Sequence, residues 1–122
     1  MIDWWFWWHA AEGVRYQLWY PDMHFDISSD FRGHYDDDSL TYIERLHLST
    51  HFVTEDIGLG SEEIMIGFKS PIDFGFDKSI VKRKDVTIIC GRGGDKNKGV
   101  WNGDMCHFVR DTKEGVEMRS RF

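Results

Sequence analysis

Two copies of the tripeptide Glu-Gly-Val, at 12–14 and 114–116, constrain the fold of this chain more than any other feature. In each case the three residues that end at the glycine, 11–13 and 113–115, fit a three-residue hairpin loop. In such a loop a type I turn is followed by a glycine in the left-handed region. The sequence therefore predicts a β-hairpin at each end of the chain, with Gly13 and Gly115 at positive φ.

The first loop pairs Ala10 with Val14 and sorts the aromatic residues before and after it into two faces. One face is wholly apolar and is expected to be core. The opposite face is mixed, and Trp5, Trp7 and Trp19 lie on it. Because aromatic platforms serve protein hot spots and ligand stacking alike, these three indoles are candidate binding residues.

The second loop pairs Thr112 with Val116, and the resulting register again separates apolar from polar residues. Since the side-chain period of a strand is two, the loop alone decides which residues face the core. The predicted core face of this hairpin holds Cys106, Phe108, Met118 and Phe122.

Between the hairpins, alternation and β-branched residues predict strands at 23–27, 63–68 and 85–90, and helical spacing predicts a short helix at 39–47. A polar turn region is expected at 31–38 and a basic turn or short helix at 78–84. The predicted fold class is α+β and mostly β: a single antiparallel sheet or small sandwich with two terminal hairpins and one or two short helices.

Length and composition indicate one globular domain over 1–122. Surface scaling allows a chain of this size to bury about two-thirds of its surface, which is enough for a hydrophobic core. No apolar run approaches the length of a membrane span, and the N-terminus does not resemble a signal peptide. Cys90 and Cys106 show no metal or redox spacing, so the expected location is the reducing cytoplasm.

The charge is distributed unevenly along the chain. The formal net charge is −6; residues 1–64 contain thirteen acids and three bases, whereas residues 65–122 contain eight acids and twelve bases. Such asymmetry bears on partners rather than on fold. It argues against direct nucleic-acid binding, favours a protein partner with a basic surface, and allows homo-oligomers in which unlike halves meet.

These features lead to a first hypothesis, a small acidic interaction module that binds and blocks or adapts another protein. Immunity proteins and phage-encoded inhibitors have this build, and the comparison is one of general class. Its predicted partner-binding residues are Trp5, Trp7, Trp19, Asp36, Asp37 and Asp38. The sequence contains no nucleophile motif, so there is no positive evidence for catalysis, and this hypothesis favours a protein that is not an enzyme.

A second hypothesis is a binding protein for a nucleotide or another phosphorylated small ligand. Residues 91–99 combine four glycines with three cations, and glycine-rich backbone with basic side chains can hold an anion. The loop has neither a P-loop ending nor the dinucleotide-binding spacing. The candidate anion-binding residues are Arg92, Gly93, Gly94, Lys96 and Lys98.

A third hypothesis is a histidine-based or metal-dependent hydrolase that uses His47, His51 and His107. The segment at 47–49, His-Leu-Ser, resembles half of a two-histidine phosphodiesterase motif, but the other half at 107–109 has valine where a hydroxyl is required. No metal-ligand set has a recognisable spacing, so no metal and no cofactor are predicted.

Overall fold

The computed structural model describes residues 1–30 and 34–122, and their main feature is a six-stranded antiparallel sheet with the strands in chain order. The mostly-β fold class is confirmed. The first three residues of the turn region predicted at 31–38 lie outside the described residues. The strands are β1 (His24–Ser29), β2 (Thr50–Asp56), β3 (Ser61–Lys69), β4 (Val86–Asp95), β5 (Val100–Thr112) and β6 (Gly115–Arg121), and the α-helices are α1 (Ile2–Trp8), α2 (Gly13–Trp19), α3 (Tyr42–His47) and α4 (Lys78–Val81).

The N-terminal hairpin prediction is wrong, because residues 2–19 form α1 and α2 with a 3-10 turn at His9–Ala11 between them. Glu12 is extended and precedes the first turn of α2. Gly13 therefore begins a helix and is not among the glycines with positive φ. The first of the two Glu-Gly-Val copies is a helix start, not a hairpin loop.

The spacing of the buried side chains explains why the N-terminal segment is helical. Ile2, Trp5, Phe6 and His9 follow the spacing i, i+3, i+4, i+7, which places them on one face of a helix. Phe6 is fully buried, and Ile2 and Trp5 pack against the same core cluster. An almost continuous aromatic run satisfies both the strand and the helix period, so tertiary burial decides between them.

The C-terminal hairpin is confirmed, with a register shifted by one residue. Its loop has two residues, and Thr112 pairs with Gly115 rather than with Val116. The residues of β5 that face the core are consequently Met105, His107 and Val109. The predicted core face is therefore wrong for Cys106 and Phe108, whereas Met118 pairs with Val109 and Phe122 contacts His107 on the core side. A one-residue slip exchanges the two faces of a strand.

Replacing Gly115 with alanine is expected to destabilise the protein by about 1 kcal/mol or more. Gly115 has φ 138°, a conformation that L side chains rarely adopt, although a β-carbon there would meet no neighbouring atom. Urea denaturation measures the effect. Gly13→Ala is the comparison and should not lower stability in the same way, because Gly13 is helical and a β-carbon there would displace only the exposed carboxylate of Asp26. Equal stability of Gly115→Ala and the parent would contradict the register described here.

The connecting elements largely follow the sequence pattern. The predicted helix at 39–47 is α3, whose N-cap is Thr41 in a capping box with Glu44. Such reciprocal caps satisfy two backbone donors that a helix leaves open. The predicted strands at 23–27, 63–68 and 85–90 correspond to β1, β3 and β4. The predicted glycine-rich loop at 91–99 is not a loop over its first half, since β4 continues to Asp95.

The core lies between one face of the sheet and the helices α1, α2 and α3. One buried cluster joins Phe6 and Leu46 from the helices to the sheet, and a second cluster surrounds Tyr16 of α2. The sheet contributes Ile27, Val53, Phe68, Ile89 and Met105 to these clusters. Among the described residues, no helix combines the length and apolar character required to cross a membrane.

Candidate active site

A cavity of about 210 Å³ lies between the helical layer and the covered face of the sheet. Phe6, His9, Tyr16 and Trp19 line it from the helical side. The sheet and the chain end contribute His24, Ile27, His51, Val53, Glu55, Ile66, Phe68, Met105, His107 and Phe122. The cavity thus brings four histidines, one tyrosine and one glutamate together in aromatic and aliphatic surroundings.

Aromatic rings form the walls of this cavity. Phe6 meets Phe68 edge-on with ring centroids 6.2 Å apart, and Trp19 contacts Phe6 in the same way at 5.6 Å. Trp19 is 39% exposed and so lies at the surface end of the cavity. A planar aromatic ligand would find edge and face partners of the kind that aromatic pairs prefer.

His9 is held in one defined tautomer. Its Nδ1 lies 2.7 Å from the carbonyl oxygen of Trp5, and because a carbonyl only accepts, Nδ1 carries the proton and donates it. The other ring nitrogen, Nε2, then has a free lone pair. The pKa of His9 is lowered to about 4, mainly by burial; the hydrogen bond to the Trp5 carbonyl opposes this shift and the nearby His24 adds to it. His9 is therefore an uncharged proton acceptor at neutral pH.

His51 of β2 is oriented by a short polar chain. The hydroxyl of Ser49 donates to the carbonyl of Leu46 at 2.8 Å, so its oxygen accepts from Nε2 of His51 at 3.3 Å. This leaves Nδ1 of His51 unprotonated. Burial, with a smaller effect of His9, lowers the pKa of His51 to about 3. The rings of His9 and His51 are 5.9 Å apart and perpendicular.

Tyr16 and Glu55 form the acidic side of the cavity. The Tyr16 hydroxyl donates a short hydrogen bond to Oε2 of Glu55. Burial and this contact raise the pKa of Tyr16, so the phenol stays protonated. His24 stacks flat on Tyr16 with centroids 4.0 Å apart, and its Nε2 lies 3.7 Å from the same Glu55 oxygen.

His107 of β5 completes the set. Its Nδ1 is 2.7 Å from the hydroxyl of Ser120 on β6. Burial lowers the pKa of His107. The ring lies against Phe6 and Phe122, with centroids 5.5 and 5.7 Å away. Uncharged imidazoles beside a carboxylate and a phenol are the groups from which general acid–base catalysis is built.

Replacing Tyr16 with phenylalanine is expected to cost about 1–3 kcal/mol of the free energy of unfolding, because the largely buried Glu55 carboxylate loses its donor. The measurement is urea denaturation at pH 7.5. Tyr20→Phe is the matched control, since Tyr20 is 54% exposed and should change stability by less than about 0.5 kcal/mol. Indistinguishable stabilities for the two variants would contradict the assigned hydrogen bond.

The three tryptophans predicted as a binding platform do not form one, although the rings of Trp5 and Trp19 meet edge-on with centroids 6.0 Å apart. Trp5 packs against the core, and Trp19 lies at the cavity mouth. Trp7 faces elsewhere: its Nε1 donates to the carbonyl of Tyr35 at 3.1 Å, and its ring stacks on Tyr35. The platform derived from the N-terminal hairpin is therefore wrong, because the hairpin is replaced by helices.

The predicted acidic residues Asp36, Asp37 and Asp38 lie on the segment before α3. Asp37 accepts from the backbone and hydroxyl of Ser39 at 3.0 and 2.6 Å, and Asp38 lies 3.4 Å from the buried guanidinium of Arg45. Asp36 and Asp38 line a surface groove beside Trp7. These contacts organise the entry into α3.

The candidate anion-binding residues are spread along β4 and the turn after it. Gly93 and Gly94 are strand residues. The three cations each pair with a carboxylate: Arg92 with Asp104 at 3.2 Å, Lys96 with Glu63 at 2.7 Å, and Lys98 with Asp95 at 2.8 Å.

Of the three histidines in the hydrolase hypothesis, His51 and His107 line the cavity and His47 does not. His47 lies on α3 beside a different pocket. The sequence interpretation missed His9, Tyr16 and Glu55, and it counted His24 among the candidate histidines without including it in the hydrolase hypothesis. The signal that could have found His9 is its helical spacing from Ile2, Trp5 and Phe6. Within residues 1–30 and 34–122, no three His, Cys, Asp or Glu side chains are arranged to hold a metal ion.

Comparison with known proteins gives this cavity a chemical context. The chain is 32% identical over its whole length to a phloretin hydrolase of Eubacterium ramulus, of which it covers 44%. It is 27% identical to a 2,4-diacetylphloroglucinol hydrolase of Pseudomonas protegens and 31% identical to one of a Pseudomonas species, covering 40% and 42% of those proteins. The chain thus spans about two fifths of the length of the curated relatives it matches.

These relatives overturn two of the three functional hypotheses. An inhibitor or adaptor that binds a basic protein partner is wrong, and so is a binding module for a phosphorylated ligand, because all three relatives are named as hydrolases. The third hypothesis agrees with these names in the class of protein. The family model described as the DAPG hydrolase PhiG domain matches residues 1–122, and the chain belongs to that family.

Proposed function

We propose that this chain carries the catalytic cavity of a hydrolase that removes an acyl group from an acylated phloroglucinol. The observation that carries the proposal is the pair His9 and His51. Each has its N–H engaged by the protein and an unprotonated nitrogen left over, and both line an aromatic-walled cavity. The names of the relatives supply the substrate class.

The chemistry of the two named compounds defines the reaction. Phloretin and 2,4-diacetylphloroglucinol both carry an acyl group attached through carbon to a trihydroxylated benzene ring, and neither contains an ester. Hydrolysis must then cleave the bond between the ring carbon and the carbonyl carbon. The carbonyl carbon gains the oxygen of water and leaves as a carboxylic acid, while the ring carbon gains a proton. The two products together contain the atoms of the substrate plus one water.

The cavity residues match the proton transfers that this reaction needs. Nε2 of His9 can take the proton of the attacking water, because a neutral imidazole with its other nitrogen anchored is an oriented general base. The Glu55 carboxylate, already bound to Tyr16, can accept a hydrogen bond from a ring hydroxyl and so orient the ring. The rings of Phe6 and Phe68 can hold its planar surface. The imidazolium formed on His9 can then give the same proton to the ring carbon, which returns His9 to its neutral form and balances the reaction. The unprotonated Nδ1 of His51 can accept a hydrogen bond from the substrate but has no proton to give.

The proposal includes a cytoplasmic location. It is supported by two free thiols, Cys90 and Cys106, which lie opposite each other on β4 and β5. A reducing compartment keeps such neighbouring thiols unpaired.

The test is to incubate the purified chain with phloretin and with 2,4-diacetylphloroglucinol and to separate the products by chromatography. We expect equimolar carboxylic acid and deacylated ring from at least one of them. A phenyl ester serves as the control substrate, since it contains the ordinary acyl–oxygen bond. Cleavage of the ester alone would contradict the proposed carbon–carbon hydrolysis.

A further inference from the structure

The covered face of the sheet changes character just beyond the cavity. In one cross-strand row, Phe68 and Met105 flank Gly91, and both side chains line the cavity. In the row next to it, Ile66 lies opposite Gly93, and Gly93 lies opposite Gly103. Two adjacent strands therefore present bare backbone at the same level of the sheet.

These two glycines leave open space above the sheet. A β-carbon at Gly93 or at Gly103 would meet no heavy atom within 4 Å. Gly94, by contrast, has the Val100 carbonyl oxygen and other atoms within about 3 Å of that position. Neither Gly93 nor Gly103 has a positive φ, so the backbone conformation does not require glycine at these places.

The cavity and a surface groove lie next to each other on this part of the sheet. Ile66 lines the cavity, whereas its cross-strand partner Gly93 lines a groove of about 620 Å³. The groove also borders Ile57 and Ile64, and its polar lining comes from Glu62, Asp95, Asn97, Lys98 and Asn102. Gly103 pairs with Gly93 and is two residues from the cavity-lining Met105, so the glycine pair lies beside both the cavity and the groove.

The cavity is too small to hold a substrate with a long acyl chain, so part of such a substrate would lie in the groove. At about 210 Å³ the cavity is smaller than the roughly 300–1,000 Å³ typical of sites for drug-sized ligands. It suits a phloroglucinol ring with a short acyl group. A longer acyl chain has to leave the cavity, and the bare backbone at Gly93 and Gly103 provides the room.

We infer that Gly93 and Gly103 form the floor on which the acyl chain of the substrate lies, so that this chain acts on acylphloroglucinols with acyl groups longer than acetyl. The inference rests on the proposed function. The polar lining of the groove suits an acyl chain that ends in a hydroxylated ring, as the chain of phloretin does. Gly93 and Gly103 thus determine which acyl group is accepted, without taking part in the proton transfers.

The experiment compares kcat/KM for phloretin and for 2,4-diacetylphloroglucinol in the unmodified 122-residue chain, in Gly103→Ala and in Gly103→Leu. The unmodified chain should prefer phloretin. The leucine side chain would stand in the path of the long acyl group, so the ratio of the two kcat/KM values should fall about tenfold or more in Gly103→Leu and less in Gly103→Ala.

Asp104→Leu is the matched control, because the neighbouring side chain of the same strand points to the opposite face and loses only the exposed ion pair with Arg92. It should keep the original substrate ratio, and thermal melting confirms that each variant is folded. An unchanged ratio in Gly103→Leu, or a preference of the unmodified chain for the acetyl compound, would overturn the inference and leave the proposed function standing. If the unmodified chain neither binds nor cleaves either compound, both the inference and the proposed function are wrong.

Discussion

The variant His9→Ala is expected to lower kcat for acylphloroglucinol hydrolysis by about 10²–10⁴-fold, with a much smaller change in KM. His9 is the buried imidazole whose Nδ1–H is anchored on the Trp5 carbonyl, which leaves Nε2 to receive a proton. Removing a positioned general base typically costs this factor. The measurement is steady-state kinetics on the preferred substrate at pH 7.5.

His47→Ala is the control for this experiment. His47 was among the histidines that the sequence favoured for a hydrolase, but it lies on α3 outside the cavity. It should retain the kcat of the parent within about twofold. A His9→Ala variant that is folded and equally active would remove His9 from the mechanism, and loss of activity in His47→Ala alone would place the site elsewhere.

The second large effect is a loss of stability in mild acid. His9 and His51 have pKa values lowered to about 4 and about 3 by burial, whereas an unfolded histidine titrates near 6.5. Between these values the unfolded chain binds more protons than the folded one, so stability is fully present above about pH 6.5 and decreases as the pH falls. From pH 7.5 to 5, two such groups should reduce the free energy of unfolding by on the order of 4 kcal/mol.

Urea denaturation at a series of pH values between 7.5 and 5 measures this loss. The range lies above the ordinary pKa of aspartate and glutamate, so it reports mainly on histidines. In His51→Gln the slope of stability against pH should be visibly smaller, because one buried imidazole is gone. A free energy of unfolding that is constant from pH 7.5 to 5 would contradict the burial of neutral histidines in this cavity.

The pattern of apolar residues predicts the parts of the fold in which either the strand period or the helix period is clear. The strands β1, β3 and β4 alternate or run continuously apolar, and α3 shows helical spacing behind a polar start. The sequence also predicts the C-terminal turn, but with a loop of three residues instead of two. That error exchanged the faces of β5 and placed His107 among outward residues, although it lines the cavity.

The site was harder to predict because it depends on the helices α1 and α2. A run such as residues 4–8, Trp-Trp-Phe-Trp-Trp, is compatible with a strand and with a helix. Interpreted as a strand, it places His9 opposite Arg15 on a mixed face and gives it no catalytic neighbours. In the structure, α1 and α2 bring His9 and Tyr16 over β2, where His51 and Glu55 lie. No residue spacing in the sequence predicts that these side chains lie together, since they come into contact only in the folded protein.

The proposed function requires that the cavity beneath α1 and α2 bind the phloroglucinol ring. The most direct measurement is an NMR titration of histidine-labelled protein with phloroglucinol, following the ring resonances of each histidine after assignment by substitution. We expect the signals of His9, His51 and His107 to shift on binding and that of His47 to stay in place. Saturable binding that shifts His47 and leaves the cavity histidines unchanged would contradict it.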